Sequence, residues 1–247
     1  MTTLAHTLEK MDAIVLQCIN EGHRAGYFAV LYRYVTLRIK QGVDSGEFED
    51  NARMERFDIL FAQRFFDAWE AYFAGREATK SWQEAFAASA RNNCMVMQHI
   101  LLGINAHINL DLGIAASETM KGGSLLPLKN DFDKINRILI SLVDEVKANI
   151  GKVSPILKWL IALARNKDEI LLSFSIFAAR DGAWKFALEH HHHPDPPASI
   201  RERDLKIARM AHSLAHPGRW LSFLTLLIRW GEYKPVARNI QIIGEVV

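Results

Sequence analysis

Cysteine is scarce in this chain, and that scarcity excludes two kinds of chemistry. There are two, Cys18 and Cys94, each inside an apolar helical pattern, and no Cys-x-x-Cys pair that would hold zinc or run thiol–disulfide exchange. Buried thiols are the expectation. Charge of one sign is also missing: 30 Lys and Arg stand against 28 Asp and Glu, a formal net charge of +2. Such a balance leaves no electrostatic footprint for nucleic acid or an anionic membrane, so no nucleic-acid partner is expected. No apolar run reaches the roughly 18 residues of a spanning helix, which argues against an integral membrane protein. The opening MTTLAHTLEKMDAIVLQCINEG lacks the basic start and apolar block of an export signal, and a cytoplasmic location is expected. Gly-rich phosphate loops of the Walker or dinucleotide type are absent. So are β-rich stretches with regular turn spacing and internal repeats.

What remains is helical. Hydrophobic residues make up 49% of the 247 positions, ample for a sizeable core. Apolar residues recur at helical spacing from Leu4 to Ile19, Gly26 to Gln41, Asn51 to Ala74 and Asp131 to Ile150, and again on both sides of the HHHHPDPP stretch. Ser81-x-x-Glu84 has capping-box spacing and starts another helix. The fold class is all-α: a single-domain bundle of about nine helices over 1–247, around a buried central helix. Gly122-Gly123 and Pro127 mark a candidate lobe break near 120–128. The tail VARNIQIIGEVV reads as a short strand or extended arm, and His190 to His193 as a solvated loop.

The central helix is QHILLGINAHINLDLGIAA, Gln98 to Ala116. At 3.6 residues per turn His99, Gly103, His107 and Asp111 form one row, and Asn105 with Asn109 a second on nearly the opposite side. Apolar residues cover every remaining direction, which belongs in a core. Buried His, Asn and Asp must then find partners or a ligand, because one stranded polar group costs on the order of 1–3 kcal/mol.

A His and a carboxylate four apart can share one metal ion. His107 and Asp111 are that pair, and His99 lies about 12 Å back from Asp111 along the axis, too far for one ion to take both. His99 is therefore an outlying candidate metal ligand. Two further acids fall on inward stripes: Asp58 among Met54, Phe57, Phe61 and Phe65, and Asp181 between Phe177 and Trp184. The resulting site has His107, Asp111 and Asp181 as metal ligands, Asp58 as a further ligand or general base, and Arg64 and Arg180 steadying negative charge. Zinc, manganese or iron would suit it, for metal-assisted hydrolysis or for binding a small polar ligand. The ferritin-like pattern of paired Glu-x-x-His is not present. The alternative is a structural core network, with Asp111 accepting from His107, Arg64 or Arg180 and the asparagines bridging to neighbouring helices. In that case the protein is a non-enzymatic binding or scaffold module. Its apolar helix from Trp220 to Trp230 packs on a partner, a homodimer by default.

Together with RFDILFAQRFF, SWQEAF, NDFDKIN and AARDGAW, the central block resembles an uncharacterised bacterial all-helical family, a domain of unknown function. The likeness runs from the second helix to Trp184 and implies the fold without implying an activity. The pair His107 and Asp111 also resembles a motif of the zinc-dependent phospholipase C and single-strand nuclease group. Those enzymes use a terminal Trp and several further His; this chain starts with Met and has one such pair.

Overall fold

The computed structural model describes the backbone of residues 2–163 and 168–245, and their side chains outside 161–175. It is all-α: the described residues form eleven helices and no strand. Helix α1 spans Leu4–Glu21, α2 Gly26–Asp44, α3 Asn51–Phe73 and α4 Lys80–Ser89. The central helix α5 runs over Val96–Thr119. After a single 3-10 turn at Leu126–Leu128 come α6 (Lys129–Val153), α7 (Pro155–Leu163) and α8 (Asp168–His191). The chain closes with α9 (Pro196–Ala215), α10 (Arg219–Trp230) and α11 (Val236–Ile243).

Local chemistry sets most ends. The Thr3 side chain accepts from the His6 N–H to start α1, which stops at Gly22 with φ +64°, a backbone conformation that glycine adopts without penalty. Asp50 caps α3 through the Arg53 N–H, and Asp195 caps α9 through Ala198. Other ends are held from far away. Asp204 on α9 accepts from the N–H groups of both Lys80 and Ser81, at 2.7 and 2.9 Å. The first turn of α4 is thus capped by α9, and the spacing of Ser81 and Glu84 is not what starts it. Asp131 does the same for the α2–α3 loop, taking the N–H groups of Glu49 and Asp50 and the Arg53 guanidinium.

The central helix packs against α2, α3, α4, α8 and α9. It has the length and apolar composition to cross a membrane, yet 78% of that window is buried inside the fold. Two glycines let neighbours approach its backbone. A Cβ on Gly103 would lie 2.3 Å from Phe28 Cγ, and one on Gly113 would lie 2.8 Å from the Ala183 carbonyl oxygen. Between these contacts, His107–Asp111 forms one turn of π-helix, in which the Leu112 N–H reaches back to the His107 carbonyl. Such a turn inserts one residue into the α-helical ladder and recurs at functional sites.

Two expectations change. The eleven helices are close to the nine expected, and the tail is one of them where a strand or extended arm was expected: Val236, Ile240 and Ile243 follow helical spacing, and the last two are buried where α11 packs on α1, α2 and α6. The four-histidine stretch is not simply a solvated loop. Its first two residues end α8; His190 is buried against the Ser199 hydroxyl, and His191 contacts Ser117 Oγ and the Gly123 carbonyl. The 120–128 segment sends Leu125 and Leu128 into the same core cluster as residues from α1 to α11. By contrast α10 buries only Ile228, and its Trp220, Phe223 and Trp230 are exposed.

Candidate functional site

A half-open cavity of about 170 Å³ lies between α2, α3, α5, α6 and α8. Its walls are apolar. Helix α2 supplies Phe28, Leu31, Val35 and Ile39; α3 supplies Phe57 and Phe61; α6 supplies Ile135, Leu139 and Val143. Into this wall come a few polar groups: Tyr32, Asp58, His107 and Arg180.

Several of these have no partner among the described residues. Tyr32 Oη, Asp58 Oδ2 and both ring nitrogens of His107 are enclosed without a hydrogen bond. Thr36 Oγ1, one helical turn beyond Tyr32, is in the same condition. Buried polar atoms are satisfied in the large majority of cases, so a group of orphans around one cavity needs a cause. His107 is held by rings: it stacks on Phe61 with centroids 3.6 Å apart and planes 9° from parallel, and Tyr32 meets it at 4.1 Å. Its Nδ1 lies 3.5 Å from Asp111 Oδ2. That is a close contact without hydrogen-bond alignment.

Burial sets the protonation of these groups. It pushes the Asp58 carboxyl up from 3.8 to about 7, since a charge loses its hydration there. It lowers His107, with Asp111 pulling the other way, so the imidazole is neutral. The Tyr32 phenol rises well above its ordinary value, from burial first and the nearby Asp58 second.

The expected site residues divide. Asp58, His107 and Arg180 share the cavity. Asp111 sits behind it with both oxygens engaged: Oδ2 accepts from the Trp82 indole at 2.8 Å and Oδ1 from Arg64 Nε at 3.4 Å. Asn105 donates to the Ile207 carbonyl and accepts from Asn109, so that row ties α5 to α9. His99 faces a separate pocket with Arg24, Tyr27, Arg229 and Glu232. Both its nitrogens lack hydrogen-bond partners among the described residues, and burial together with Arg24 and Arg229 lowers its pKa to about 3. Asp181 does not point inward. Helix α8 buries Arg180, Ala183, Trp184 and Ala187, spaced three and four apart, and Asp181 is off that stripe and exposed. Among the described residues, no group of three or more His, Cys, Asp or Glu is placed to hold a metal.

Sequence reasoning passed over Tyr32 and Trp82. Tyr32 had a signal, since it stands four residues from both Phe28 and Thr36 on one face of α2. Trp82 had none, because its partner lies on another helix.

The fold and the cavity define an all-helical protein with an interior apolar chamber edged by unpartnered polar groups. The chain belongs to a family of unknown function, DUF5995, whose profile matches residues 4–217 and so contains every residue of the chamber. No match was found among curated proteins or among solved structures.

Proposed function

We propose that the protein binds a small, largely apolar molecule in the chamber, with a hydrogen-bonding group of that molecule held by Asp58, Tyr32 and His107. One observation carries this reading: the residues that carry these four polar atoms without hydrogen bonds among the described residues line a cavity whose wall is mostly apolar. Each orphan costs on the order of 1–3 kcal/mol, which a ligand offering both a donor and an acceptor offsets. The groups are suited to that. A neutral imidazole has one donor and one acceptor nitrogen, and Asp58, titrating at about 7, offers either role near neutrality. The small polar ligand expected from the central row becomes a molecule with an apolar body. The test is binding of an environment-sensitive apolar fluorophore, followed by emission and by thermal shift. Binding that is lost in a cavity-filling Val35→Phe variant with an unchanged circular dichroism spectrum supports the reading. Equal signal in both proteins sinks it.

Metal-assisted hydrolysis is the second reading, and the approach of His107 Nδ1 to Asp111 Oδ2 at 3.5 Å favours it. An ion there would have to displace the Trp82 and Arg64 hydrogen bonds. Metal analysis of untagged protein decides it, with His190 to His193 replaced as a control. A stoichiometric metal lost in His107→Ala supports a metal centre; no metal in the wild-type chain rejects it.

A further inference from the structure

Arg180 is the charge in the chamber that no described residue answers. It is 3% exposed, and its guanidinium lies over the Phe132 ring, 4.3 Å from the centroid. Nε donates to Asn136 Oδ1 at 2.5 Å and Nη2 to the Phe132 carbonyl at 2.6 Å. Both acceptors are neutral, and Nη1 has no hydrogen bond to the described residues. No carboxylate among them lies within the 4.0 Å of an ion pair with it. Asp133 and Asp181 act on it only from a distance; Asp133 is paired with Lys129, and Asp181 is exposed. Asp58, the acid of the chamber, forms no ion pair with it either. Burial lowers the Arg180 pKa to about 10, which leaves the guanidinium charged at neutral pH. A buried cation without a counter-ion is expensive, and the usual remedy is an anion brought to it.

The anion's chemistry follows from the surroundings. Ring and backbone contacts fix the guanidinium plane, and a planar fork with an open edge matches a carboxylate. A phosphate needs more donors than this wall supplies, since the rest of the lining is apolar, the Asp58, Tyr32 and His107 group, and Tyr34, whose hydroxyl donates to Glu145. Size is bounded as well. The cavity of about 170 Å³ is similar to the roughly 150 Å³ void that accepts benzene, which suits one ring or a short alkyl chain.

We propose that the ligand is a small amphipathic monocarboxylic acid whose carboxylate pairs with Arg180 while its ring or chain lies along Val35, Leu139 and Val143. This rests on the reading that the chamber binds a largely apolar molecule, and it adds an acidic group at Arg180 beside the hydrogen-bonding group held by Asp58, Tyr32 and His107.

The experiment compares three probes of one shape, 3-phenylpropanoate, 3-phenylpropan-1-ol and 3-phenylpropylamine, by calorimetry on the full chain. The acid is expected to bind at least tenfold more tightly than the alcohol, and the amine more weakly than either. Arg180→Gln should bring the acid's affinity down to that of the alcohol measured in the same variant, while Arg180→Lys, which keeps the charge without the fork, should retain part of the acid's advantage. If Arg180→Gln does not fold, the wild-type ranking and the Lys variant decide alone. Equal affinity of acid and alcohol, or preference for the amine, overturns the assignment and leaves the chamber reading standing. If none of the three binds, the apolar fluorophore separates the cases: its binding means the head group is wrong, and its failure removes both ideas.

Discussion

The indole Nε1 of Trp82 donates to Asp111 Oδ2 at 2.8 Å, tying α4 to the π-helical turn of α5. Asp111 is 1% exposed and also takes Arg64 at 3.4 Å. The carboxylate is therefore a clamp between three helices, and removing it strands an indole N–H and a guanidinium. Asp111→Ala is expected to lower unfolding free energy in urea by about 3 kcal/mol. Asp111→Asn keeps an acceptor for one of the two donors and should cost about half as much. A loss below about 0.5 kcal/mol in Asp111→Ala, the range of ordinary surface substitutions, contradicts the clamp.

Asp58 makes stability depend on pH in a direction opposite to the usual carboxylate. Its folded pKa of about 7 stands above its ordinary value of 3.8. Between those values the native state keeps a proton that the unfolded chain has released, so stability falls as pH rises from about 4 to about 7 and stays low above. At 1.36 kcal/mol per pKa unit the full effect is on the order of 4 kcal/mol. Asp58→Asn has no such proton and should lose much less stability between pH 4.5 and pH 8. Parallel stability curves for the two proteins across that interval would refute the assignment.

Gly103 is where Phe28 seats itself on the central helix. A Cβ there meets Phe28 Cγ at 2.3 Å, so Gly103→Ala is expected to destabilise by about 1–3 kcal/mol despite alanine's better helix propensity. Shortening the intruding ring with Phe28→Leu in the same chain should recover part of that loss. The double-mutant cycle measures the coupling, and simple additivity of the two changes argues that the approach is not close.

The fold was largely readable from periodicity, because helical spacing needs only local sequence. The tail misled because VARNIQII is short and β-branched in part, while its spacing of four and three was the better guide. The site was readable only in pieces. Asp58 and His107 showed themselves as polar residues on apolar stripes. Asp181 looked equivalent, yet a shift of one position along α8 puts Arg180 inside and Asp181 outside, and a stripe defined by two aromatics is too coarse to separate neighbours. Asp111 was visible as buried, but its partners Trp82 and Arg64 come from other helices. The chamber itself is a gap between five helices and corresponds to no motif. The long-range caps of Asp204 and Asp131 were hidden for the same reason.

The π-helical turn sets the phase of the central helix. Gly103 before it accepts the Phe28 ring, and Gly113 after it accepts the backbone of α8 at Ala183. The extra residue in His107–Asp111 is what lets both flat spots face their neighbours at once. Relaxing that turn to ordinary α-helix with all its residues kept would rotate everything beyond it by about 100°. One glycine would then stay docked while the other turned away, so the wide turn is required independently of which side chains it carries.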